Sequence, residues 1–183
     1  MKIANHKRCL PHALAALLLI AGGATEALAQ TSTVNVTGNI TGECRVTGGA
    51  SLTIPLGNVA ASTLGSIGAF SPTAGMQNIT LTCTSSPGIK MTMTGTQHSG
   101  TTNTSVLALT GSGTGIATGV GVQLLYSTAT TGTPTTLLTR GTAVTIPTGA
   151  TVTVRVGARY FATTNAPTAG AANATATLTF TIN

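Results

Sequence analysis

Beyond residue 29 the side chains that could do chemistry are few: Cys44, Cys83, Glu43, His98, and the scattered cations Arg45, Lys90, Arg140, Arg155 and Arg159. There is no aspartate in the chain, and the only other glutamate is Glu26. Paired carboxylates for general acid–base work are therefore impossible within one copy. A Ser-His-Asp arrangement has no acid to orient its histidine. A metal centre would need more ligands than one histidine and two cysteines. His98, within the stretch TGTQHSG, reads as an exposed loop histidine. The run GSGTG at 111–115 lacks the lysine and the following helix of a phosphate loop, and reads as a hairpin loop. The cations are isolated and tryptophan is absent, so there is no nucleic-acid surface. The expected protein is not an enzyme and has no cofactor.

The N-terminus explains the redox state expected of the cysteines. Lys2, Lys7 and Arg8 precede an apolar stretch, Leu14–Ala24, and Ala27-Leu28-Ala29 forms a small-residue cleavage site. This is the layout of a secretory signal peptide, too short for a membrane anchor. Cys9 lies inside it, so an exported chain keeps an even pair, Cys44 and Cys83, most simply joined as a disulfide. Closing a loop of about 40 residues is worth roughly 4 kcal/mol in the chain-entropy account.

These residues must be positioned by β-strands, because alternation recurs along the whole chain and helical periodicity is confined to a possible turn at Val59–Leu64. Period-2 patterns run through Val34, Val36 and Ile40, and through Ile79, Leu81 and Cys83. They continue through Ile89, Met91 and Met93, through Val120 to Tyr126, through Val144 and Ile146, and from Val152 to Tyr160. The last pattern puts Arg155 and Arg159 on an outer face. Turn-rich pieces such as SSPG and TTGTP separate the strands. The fold class is all-β, an antiparallel sandwich or barrel in one domain. The cleanest alternation is ATATLTFTIN, residues 174–183, with Ala176, Leu178, Phe180 and Ile182 on one side and threonines on the other.

Specific stretches carry a resemblance. VGVQLL at 120–125, GARYFATTNAPTAGAANATATLTF at 157–180, VNVTGNITGEC at 34–44 and NITLTC at 78–83 resemble the type 1 fimbrial pilins, subunits of chaperone–usher pili. The arm before Cys44 is shorter than in typical major rod subunits, and Thr-Ile-Asn stands where many members carry a penultimate tyrosine. The resemblance implies an incomplete immunoglobulin-like sandwich completed by a donor strand from another subunit. It divides the chain into a signal peptide (1–29), a donor arm (30–41) and a pilin domain (42–183). The donor positions would be Val34, Val36, Gly38 and Ile40. The groove edge, which also contacts the chaperone, would be Ala176, Leu178, Phe180 and Ile182. The implied partners are a periplasmic pilus chaperone, an outer-membrane usher and neighbouring pilin subunits. The implied destination is the cell surface, reached through the periplasm. Other readings are a spore-coat-U-like secreted pilus subunit, a tip or minor adhesive subunit and, opposed by the missing carboxylates, a secreted hydrolase.

Overall fold

The computed structural model describes residues 42–183 together with Asn35 and Thr37. The donor positions Val34, Val36, Gly38 and Ile40 lie outside the described residues. The described strands are β1 (Cys44–Gly48), β2 (Ala74–Cys83), β3 (Ile89–Gly95), β4 (Val106–Leu107), β5 (Val120–Ser127), β6 (Thr136–Leu137), β7 (Ala143–Ile146), β8 (Thr151–Ala162) and β9 (Ala176–Ile182). A short 3-10 helix spans Ala61–Leu64, inside the segment where the sequence shows its only helical tendency.

The strands form two sheets. The larger runs β1-β2-β8-β5-β4, with β6 also on β5; the smaller runs β7-β3-β9. All pairings between these strands are antiparallel. The inward residues are those of the sequence alternation: Ile79, Leu81 and Cys83 from β2, Ile89, Met91 and Met93 from β3, and Val152, Val154 and Val156 from β8 form one core with Ile146 and Leu138. Burying each large aliphatic removes apolar area from water and stabilises by about 1.5–3 kcal/mol.

Cys44 and Cys83 face each other across β1 and β2 and are joined by a disulfide. The bond ties the start of the domain to the far end of a central strand.

Two features depart from the sequence reading. His98 is half-buried rather than exposed: its Nδ1 accepts a hydrogen bond from the Gly100 backbone N–H at 3.0 Å, and its own N–H donates to the Val106 carbonyl. In β5, Leu125 on the outer parity is 2% exposed, whereas Leu124 on the inner parity is only half-buried. Around Leu124 the inner face has no cover among the described residues.

Candidate functional site: an apolar groove beside the last strand

The missing cover is a groove of about 830 Å³. Its floor is the inner face of the larger sheet: Ile79 from β2, Val122 and Leu124 from β5, and Val156, Ala158 and Tyr160 from β8. One wall is β9 with the residues leading into it, including Ala174, Ala176, Leu178 and Phe180. The other wall is the segment 49–58. Among the described residues no charged side chain lines the space.

β9 is an edge. Along its length it pairs with β3, with Ala176, Leu178 and Phe180 opposite Gly95, Met93 and Met91. On its other side no strand among the described residues pairs with it. Free sheet edges ordinarily carry a charge, a proline or a bulge that discourages further pairing. Ala176–Ile182 has none of these: alanine, leucine, phenylalanine and isoleucine alternate with threonine. The β-branched threonines favour the extended backbone and keep the outer face wet without charge. Of the predicted edge residues, Ala176, Leu178 and Phe180 line the groove. Ile182 lies beyond the lining, opposite Ile89, and is 36% exposed.

The opposite wall was legible but not identified in the sequence. Leu52, Ile54 and Leu56 are half-buried and alternate with exposed Ser51, Thr53 and Pro55, a strand-like period across SLTIPLG. Pro55 brings no N–H to a ladder, and the segment runs extended without joining a sheet. It sits tightly on β2 because Gly75 has φ +62° and no side chain; a Cβ there would meet Ile54 Cγ2 at 2.6 Å and the Pro55 carbonyl oxygen at 2.7 Å. Any other residue at 75 would push this wall outward or strain the backbone.

The groove has a closed end and an open end. Towards the disulfide, Val152, Val154, Ile89 and Ile146 are no more than 6% exposed and fill the space between the sheets. Away from it, the lining continues to Tyr160, Asn58 and Ala172. Partial burial pushes the Tyr160 hydroxyl above the usual tyrosine range, because desolvation disfavours the phenolate. The site has an apolar floor, walls that mix apolar and hydroxyl or amide side chains, and a backbone edge unpaired among the described residues. It can hold an extended peptide, with main-chain hydrogen bonds on one side and alternate side chains buried below.

The family called Fimbrial protein matches residues 30–183. This chain belongs to the fimbrial protein family. Membership places it among the structural proteins of cell-surface pili. Comparison with curated proteins finds no significant match. Among solved structures, this fimbrial protein is similar to the P pilus rod subunit PapA, at 21% identity and TM-score 0.56 over 76% of this chain and 99% of that one. It is also similar to the Burkholderia pseudomallei antigen and type I fimbria protein, at 26% identity and TM-score 0.51 over 80% and 90% of the two chains. A third likeness is to a chaperone–usher pilus described for its rod uncoiling, at 18% identity and TM-score 0.55 over 84% and 96%. The fold is thus the immunoglobulin-like sandwich of pilin subunits.

Proposed function

We propose that this fimbrial protein is a pilus subunit that polymerises by strand exchange, and that the groove beside β9 is the acceptor. The observation that carries the reading is the unprotected edge of β9 standing over an open, uncharged floor. A seven-residue extended segment spans roughly 23 Å, comparable to β9 itself. In this reading a periplasmic chaperone fills the groove first, the usher passes the subunit outward, and the arm of the next subunit then replaces the chaperone's strand. Residues 1–29 are removed on export, which the family match beginning at Gln30 supports. The arm inserts Val34, Val36 and Ile40, with Gly38 at the fourth position. Three large aliphatics contribute on the order of 4–9 kcal/mol before the backbone ladder is counted.

The test is a synthetic peptide of residues 30–41 added to purified subunit 30–183. Binding to the native state alone raises stability with the logarithm of free ligand above its dissociation constant, so the melting temperature should climb with peptide concentration. A peptide carrying both Val36→Asp and Ile40→Asp should do nothing, because a carboxylate in an apolar pocket has no partner and costs several kcal/mol to desolvate. Thr37→Asp, on the opposite face of the arm, should be mild. A subunit that melts cooperatively at high temperature without peptide, and ignores the wild-type arm, would refute strand exchange.

A further inference from the structure

At the open end of the groove the outer face of the larger sheet carries an unusual surface. Phe70 is 53% exposed and Ile67 64% exposed, although large apolar side chains exposed together ordinarily mark a contact site. The Arg159 guanidinium lies over the Phe70 ring, 3.8 Å from its centre. A buried polar chain holds it there. Arg159 Nε donates to Gln123 Oε1 at 2.8 Å, Gln123 Nε2 donates to Ser105 Oγ at 2.8 Å, and Ser105 Oγ donates to Asn103 Oδ1 at 2.7 Å. Gln123 is 1% and Ser105 4% exposed. Such a relay fixes one arginine while leaving its two terminal nitrogens without a hydrogen-bond partner among the described residues. Those nitrogens form the fork that takes a carboxylate in bidentate fashion.

Which carboxylate reaches it follows from chain geometry, given the strand-exchange reading above. An inserted arm continues at its C-terminal side into a whole folded domain. That side must leave by the open end, since the other end is packed with core residues. The arm therefore runs antiparallel to β9 and emerges past Tyr160 at the end of β8, the strand whose outer face carries Arg159. Glu43 lies only three positions beyond Ile40, a reach of at most ~10 Å. Glu43 is exposed, and its backbone is anchored: its N–H donates to Thr84 Oγ1 at 3.2 Å, and its carbonyl accepts from the Thr84 N–H at 2.9 Å. It is also the only carboxylate side chain in residues 30–183.

We infer that the Phe70–Arg159 platform is the seat for the base of the next copy of this chain, with Glu43 of the incoming copy pairing to Arg159. The groove then supplies the strong, sequence-tolerant hold, and the platform fixes the angle between successive subunits.

The experiment uses the full chain co-expressed with its chaperone and usher, with isolated fibres dissociated in denaturant at low and high salt. Arg159→Gln keeps a donor for Gln123, and Glu43→Gln keeps the backbone anchor, so both subunits should fold and assemble. Each should dissociate up to about fivefold faster than wild type at low salt, with the difference shrinking in high salt. The swap of Arg159→Glu with Glu43→Arg should recover most of the lost resistance. Phe70→Ser should weaken fibres in a salt-independent way. Additive losses with no recovery in the swap, or wild-type behaviour of Arg159→Gln, would overturn the pairing while leaving strand exchange standing. Failure of the wild-type chain to form any heat-resistant multimers would overturn strand exchange itself, and this inference with it.

Discussion

β3 and β9 are near-copies in sequence and are paired residue for residue, yet they end in different environments. IKMTMTG and ATLTFTI both alternate apolar residues with threonine or lysine. Ile89, Met91 and Met93 of β3 are 0% exposed. Their cross-strand partners Ile182, Phe180 and Leu178 stay exposed or half-buried. The residues of β9 are no less apolar; among the described residues β3 has a strand on each side and β9 on one. Burial in a sheet is conferred by neighbours, and among the described residues β9 has a neighbouring strand on one side.

The largest effect should come from breaking the covered strand. Met91→Asp places an unpaired charge in a closed core and should leave no folded subunit, with or without chaperone. Recovery of soluble Met91→Asp subunit in the periplasm would mean that β3 is not held as described.

Removing the disulfide by Cys44→Ser with Cys83→Ser should cost about 2–5 kcal/mol, read as a shift of the urea midpoint. The loss should be similar with the groove empty or filled, since the bond lies at the closed end.

Phe180→Ala sharpens the comparison most. In the empty subunit it should cost less than the about 3–5 kcal/mol expected for a fully buried phenylalanine. With the arm peptide bound it should approach that range, because the peptide would turn an edge strand into a central one. Equal costs in both states would mean that the groove does not take the arm.

Thr179→Asp, on the wet face of β9, should change subunit stability by no more than about 0.5 kcal/mol. Last comes a pH effect at the open end. Tyr160 has its folded pKa raised, so its contribution is fully present below the unfolded value of 10.0 and is lost as pH rises through the higher folded one. Stability should decline above about pH 10, and Tyr160→Phe should flatten that decline in thermal melts.

Period-2 alternation alone identified the strands around Ile79, Met91, Val154 and Leu178, and the cysteine count identified the Cys44–Cys83 bond. These are local or arithmetic facts: a residue's parity selects its face, and an exported even pair oxidises. The same alternation in SLTIPLG, with its proline, marked an extended segment but not what it faced, because Gly75 of a distant strand makes room for it. Nor could parity say that Leu125 on an outer face would be better hidden than Leu124 on an inner one. Alternation states which side of a strand is apolar; only the pairing of segments far apart in the chain decides whether another strand covers that side. The open edge of β9 was decided there, by the strand that the described fold lacks.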